Sequence, residues 1–176
     1  MNYFLALICL FVIKNVIQEL LYISYFYSYY MKNNILSVAR HPLSVDSMLL
    51  LIRIVAGLSF AFYGSFKIKD PLHWMGPDSV FPPFFQLLAA VSEFFGGIAW
   101  IIGFMTPIAS FGIACTMVVA TYVHLVTNGD PFVSFTGGGS YDHALIFMVI
   151  AITLFVLGPG RFSLDRLLFG DKHLKK

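Results

Sequence analysis

From Met48 to Phe66 the chain reads MLLLIRIVAGLSFAFYGSF, a run with one charge, Arg53. A bilayer span takes about 20 mostly apolar residues, and this run has that length and character. Phe84–Phe104 is a second such run, interrupted only by Glu93, and Pro107–Thr127 a third, with His124 near its end. A fourth, about Ala144–Leu157, is shorter, and the preceding YDHALI can begin its helix in the interface. In hydrocarbon every backbone polar group must be satisfied within the segment, so the runs should be helices. Composition agrees, with 59% hydrophobic and 11% charged residues; in a soluble domain roughly a quarter are charged. The expected fold is all-α, an integral membrane four-helix bundle. Only Met105 and Thr106 separate the second and third runs, which therefore form an antiparallel hairpin with Pro107 in a first helical turn, where proline is tolerated.

The four-helix domain is expected over residues 48–168. Ahead of it, residues 1–47 contain YFLALICLFVI, broken by Lys14, Asn15 and Glu19, then the tyrosine-rich LLYISYFYSYYM. An interfacial aromatic helix, an extra span and a translation start placed too early are all open, with Met31 and Met48 as later starts. The expectation is a membrane-associated helical extension. No basic n-region with a small-residue cleavage site marks a secretory signal. After the last span, Gly158-Pro159-Gly160 stops the helix. Ser163 can then cap a short interfacial helix, with Leu164, Leu167 and Leu168 toward lipid and Arg161 and Arg166 toward headgroups. Residues 169–176 form a basic tail. Lys32, Arg40, Arg161, Arg166, Lys172, Lys175 and Lys176 lie on one side of four spans, against Lys67 and Lys69 on the other. The positive-inside rule then places both flanks of the core in the cytoplasm, in a cytoplasmic (inner) membrane.

Ionisable residues within spans usually face the bundle interior and find a partner. At 1.5 Å per residue, Arg53 lies roughly 8 Å and Glu93 roughly 14 Å from the opposite ends of their runs, and an arginine can largely close the difference. These two are expected to pair. Helical spacing puts Arg53, Gly57, Phe60 or Ala61, Gly64 and Lys67 on one face. Gln86, Ala89, Glu93, Gly96, Gly97 and Trp100 share a second face, and Gly112, Thr116, Ala120, His124 and Asn128 a third. Small residues beside polar ones allow close helix packing. Lys67, His124, Asn128, Tyr141, Asp142 and His143 fall at one membrane face and form an expected polar mouth above the Arg53–Glu93 pair.

Several chemistries are poorly supported. Cys9 and Cys115 stand far apart in apolar runs, without a CxxC or Cys/His spacing. His124 and His143 lack tight ligand spacing, which disfavours haem or a metal, and satisfaction by headgroups and water accounts for both. TGGGS at 136–140 follows no strand and makes no phosphate cradle. A net charge of +2 without a basic run gives nothing for nucleic acid.

Four motifs in order, Arg53 with Gly57, then FYGSFKI at 62–68, EFFGGIAWIIGFMTPIA from Glu93, and GPGRFSLDRLL at 158–168, resemble the DoxX family of small four-helix membrane proteins. The resemblance covers roughly residues 50–168. Two positions depart from the family pattern: Tyr63 where a histidine often precedes the glycine, and Asp142 where a glutamate often follows the tyrosine. The resemblance implies an oxidoreductase or a subunit of one, tied to quinone or thiol chemistry. On that reading Glu93 and Arg53 are the catalytic pair, with Lys67, His124, Tyr141, Asp142 and His143 around a bound quinone. The chain has no flavin or nicotinamide motif, so electrons would come from a soluble redox partner, a second subunit or a substrate thiol. A non-catalytic scaffold or assembly subunit, with the ion pair as a clasp, is the alternative. A small-solute or proton-coupled transporter is a third.

Overall fold

The computed structural model describes residues 38, 41–76, 79 and 81–169, all within one compact unit, 36–176. The N-terminal extension up to residue 37 and the tail from residue 170 lie outside the described residues. Five helices follow in order: α1 Leu43–Lys67, α2 Pro83–Ile102, α3 Thr106–Tyr122, α4 Asp142–Leu157 and α5 Leu164–Phe169. One π-helical turn, Val123–Thr127, prolongs α3 and closes with Asn128 N–H donating to Val123 O at 2.9 Å. No strand occurs among the described residues. Three helices, α1, α2 and α3 with its π turn, are long and apolar enough to cross a membrane, and α4 is a shorter apolar helix. The protein is a helical membrane bundle, with α1 packed on α2, α2 on α3, α3 on α4, and α4 back on α1.

The first helix starts at Leu43, ahead of the expected Met48. Those added residues carry Asp46, which is 1% exposed and belongs to the packed interior. The α2–α3 hairpin forms as expected. Gly103, at φ 69°, closes α2 with the paired bonds of a Schellman turn, Gly103 N–H to Trp100 O at 3.2 Å and Phe104 N–H to Ala99 O at 2.9 Å.

Close backbone approach sets the register of α1 on α2. A Cβ on Gly97 would lie 2.6 Å from Ala61 N, and one on Gly64 would lie 2.5 Å from Phe94 N. Neither neighbour is a flexible side chain, so neither position has room for one. Gly64 is near the end of α1, whereas Phe94 is well inside α2. Consequently α2 overhangs the end of α1 by roughly eight residues, ~12 Å at 1.5 Å per residue. The segment after α1 packs against this overhang: Trp74 Nε1 donates to Gln86 O at 3.0 Å, and the buried Gln86 side chain accepts from Met75 N–H at 3.1 Å and donates to Phe81 O at 2.9 Å.

The core centres on Trp100, fully buried, with Phe60 edge-on at 5.5 Å and Phe147 stacked obliquely on Phe60 at 4.8 Å. The indole N–H donates to Ser110 Oγ at 2.9 Å, satisfying both buried polar groups. On α1 and α2 the buried faces are the ones the spacing indicates. On α3 the face buried deepest is Thr106, Ser110, Ile113 and Met117, one position round from the expected Gly112–Thr116–Ala120 stripe. That stripe is half-buried, with Gly112 against Ser92 of α2.

Replacing Gly64 by leucine should force α1 and α2 apart, costing about 3 kcal/mol or more because backbone must move. Glycine-to-alanine at Gly138, where a Cβ would meet only Ser134 Oγ at 3.4 Å, should be near neutral. Thermal unfolding in detergent separates the two.

Candidate functional site

Glu93 lies ten residues into α2, and the α1–α2 register decides which cation reaches it. The level of α1 opposite Glu93 is its last turn, so the partner is Lys67. Its Nζ lies 2.6 Å from Glu93 Oε2 and 2.7 Å from Oε1, with side-chain exposures of 23% and 3%. The expected Arg53–Glu93 pair does not form. Arg53 sits 14 residues earlier in α1, nearly four helical turns away, opposite the other end of α2. Because α2 overhangs α1, Lys67 stands level with Glu93 inside the bundle, not above it in the mouth.

Over this pair lies Trp74, its ring centroid 4.3 Å from Lys67 Nζ. A cation over an indole face is attracted by the ring's quadrupole, worth about 0.5–2 kcal/mol. The indole is held by its bond to Gln86 O, so Gln86 positions Trp74, and Trp74 covers Lys67. The result is a carboxylate and an ammonium side by side, beneath an aromatic plate and largely out of water. Removing Lys67 would leave the Glu93 carboxylate buried and unpaired, a loss of about 3–5 kcal/mol. Sequence spacing carried the signal for Lys67, since it shares the Arg53–Gly57–Gly64 face; Trp74 and Gln86 in this role had none.

Arg53 is 1% exposed, and its guanidinium serves the opposite end of the bundle. Nε donates to Trp100 O at 2.9 Å, Nη1 to Pro159 O and to Phe162 O at 3.0 Å, and Nη2 to Ile101 O at 3.3 Å. These carbonyls belong to the last turn of α2 and the segment after α4. Gly103 leaves room for the guanidinium, as a Cβ there would lie 2.5 Å from Nη2. Asp165 and Asp46 complete the same network. Asp165 accepts from Met105 N–H at 2.6 Å and Thr106 N–H at 2.9 Å, capping α3, while its own N–H donates to Gly103 O at 2.8 Å. Asp46 accepts from Arg161 N–H at 3.0 Å, with Arg161 Nε 3.4 Å away. Ser163 caps α5 as expected, accepting from Arg166 N–H at 3.2 Å. The GPGRFSLD segment is thus a knot tying together the ends of α1, α2, α3 and α4.

The other expected mouth residues form two separate clusters. His124 Nδ1 is 2.7 Å from Asp130 Oδ2, which also accepts from Asn128 Nδ2 at 3.3 Å. Asp142 Oδ1 accepts from Ser140 Oγ at 2.7 Å and lies 3.0 Å from His143 Nδ1, while the Tyr141 ring meets Phe132 edge-on at 5.3 Å. No hydrogen bond joins either cluster to Lys67 or Glu93 among the described residues. No group of three or more His, Cys, Asp or Glu side chains suited to a metal ion occurs among them either.

Residues 48–125 match the DoxX family model, from within α1 through α3 into the π turn. The chain is also similar to an uncharacterized protein of Haemophilus influenzae, 28% identical over 123 residues, covering 69% of this chain and 90% of that one. No solved structure matches.

The hydrogen bond from His124, the largest effect, holds the Asp130 carboxyl below its usual range against the opposing effect of desolvation, with Asn128 adding a smaller contribution. A carboxyl lowered in the folded state contributes stability above its unfolded pKa of about 3.9 and loses it as pH falls through the lowered value. Asp130→Ala should therefore lower the melting temperature at neutral pH, and the gap to wild type should shrink below about pH 4. Arg53→Lys should be nearly as destabilising as Arg53→Ala, because one ammonium cannot reach carbonyls spread over two segments, and detergent melting curves check it.

Proposed function

We propose that this DoxX-domain protein is a quinone-associated component of a membrane redox system, with Lys67 and Glu93 as the polar heart of its site. The observation that carries the reading is the buried Lys67–Glu93 pair beneath the Trp74 ring. A quinone headgroup is a flat, apolar ring with carbonyl acceptors, and its reduction takes up a proton at each carbonyl oxygen together with electrons. Lys67 is the donor to a carbonyl, Glu93 the proton relay, and the Trp74 face a surface for the ring. His124, Tyr141, Asp142 and His143, at the same end of the bundle, form the route to water. Electrons come from a soluble redox partner, a second subunit or a substrate thiol. Arg53 takes no part, because its donors are occupied by backbone carbonyls. Both flanks of the core lie in the cytoplasm, and the site opens from the opposite side of the cytoplasmic membrane.

A second reading has its own observation. Lys67 and Glu93 satisfy each other, so the pair can act as a clasp in a non-catalytic scaffold. Solvent extraction of the purified protein distinguishes the readings, with Glu93→Gln and Lys67→Met alongside. Stoichiometric quinone in the wild type, reduced at least tenfold in both variants while they remain monodisperse, supports the redox site. A quinone-free wild type, with variants that unfold, leaves the clasp.

A further inference from the structure

The α4 helix is too short for its surroundings. At 16 residues it is ~24 Å long, against a hydrocarbon core of about 30 Å. It cannot be lengthened at its C-terminal end. His41 Nε2 takes the carbonyl of Leu157 at 3.0 Å, Gly158 turns the chain, and residues 158–160 are buried against the knot. Any missing apolar length must come from before Asp142.

The segment there is built inside out for a loop in water. Phe132, Val133 and Phe135 project outward, Phe135 being 96% exposed. The carboxylates instead bond to neighbouring side chains, Asp130 to His124 and Asn128, and Asp142 to Ser140 and His143. No lysine or arginine occurs anywhere between Lys69 and Arg161. The loop is also fixed to the first turn of α4, with Asp142 N–H donating to Phe132 O at 3.1 Å and Tyr141 N–H to Pro131 O at 3.4 Å. The two helices this loop joins carry exposed apolar side chains as well, Leu125 and Val126 at the end of α3 and Ile146 and Val149 along α4.

We propose that residues 131–135 are immersed in the bilayer, with Phe135 as the wedge that supplies the apolar length α4 lacks. The occupant of this surface is lipid at the acyl–headgroup boundary. Apolar side chains such as phenylalanine can be buried at that boundary while adjacent polar groups stay wet. The loop's hydrogen bonds to α4 make it a continuation of that helix's lipid face.

The test places a nitroxide label at Phe135→Cys, and separately at Val133→Cys, in a chain whose own cysteines are replaced by serine. The protein is reconstituted alone in vesicles of phosphatidylcholine and phosphatidylglycerol. Power saturation then compares collision with oxygen, which concentrates in lipid, against a nickel chelate, which stays in water. A label at Val149→Cys on α4 serves as the lipid-facing reference. Oxygen-dominated accessibility at 135, with 133 of the same sign, is the expected result. Chelate-dominated accessibility at 135 would overturn the proposal, and would mean that the exposed aromatics await a protein partner or lie free in water. Because Phe135 is almost fully exposed, its replacement removes no packing, and a monodisperse, cooperatively melting variant makes either result interpretable.

Discussion

With glycine at 57, 64 and 97, the backbones of α1 and α2 touch along their length, and this contact sets which side chains can meet across the bundle. A lipid-facing surface is as apolar as a leucine side chain, so helices in a membrane gain little by burying leucine against leucine. They gain by packing atoms closely and by joining polar groups. The glycines permit the first, and the register they impose arranges the second. It staggers the two helices so that α2 overhangs α1, bringing Lys67 down to Glu93 and leaving Arg53 at the far end of α2.

The two cations inside the bundle consequently have different characters. Arg53 is a delocalised fork with donors in several directions, and it meets a spread of carbonyls from the last turn of α2 and the segment after α4. An arginine there does the work of several caps at once. Asp165 does the complementary work for the unpaired N–H groups that begin α3, and Asp46 does so for the backbone at Arg161. Lys67 is a compact charge with one carboxylate partner, an aromatic face above it and partial access to water. A pair of that kind can exchange a proton or admit a ligand's polar atoms, whereas a guanidinium bound by backbone carbonyls cannot be released without loosening three helices. The functional reading therefore attaches to the Lys67 end.

Much of the fold was legible because membrane helices announce themselves by length and lack of charge. The α2–α3 hairpin followed from two intervening residues, and the buried faces of α1 and α2 from three- and four-residue steps between small and polar positions. The α3 face was misplaced by one position because its small residues form more than one stripe, and nothing in the sequence shows that Ser110 receives the Trp100 indole. The DoxX resemblance pointed to Glu93 and Lys67 as residues of interest. Their pairing was not legible, since depth counted along two separate runs assumes both start level at the membrane surface.

What the sequence by itself determined is the class of structure, the polar residues that must be satisfied inside it, and the glycines that let its helices meet. Those follow from the cost of placing backbone and charge in hydrocarbon, which any arrangement of this chain must answer. Tertiary structure alone decided the partners: Lys67 for Glu93, carbonyls for Arg53, α3's first amides for Asp165, and Trp74 over the ion pair. Each depends on the axial offset between helices. That offset arises from backbone contacts between residues distant in sequence, and no spacing within a single helix encodes it.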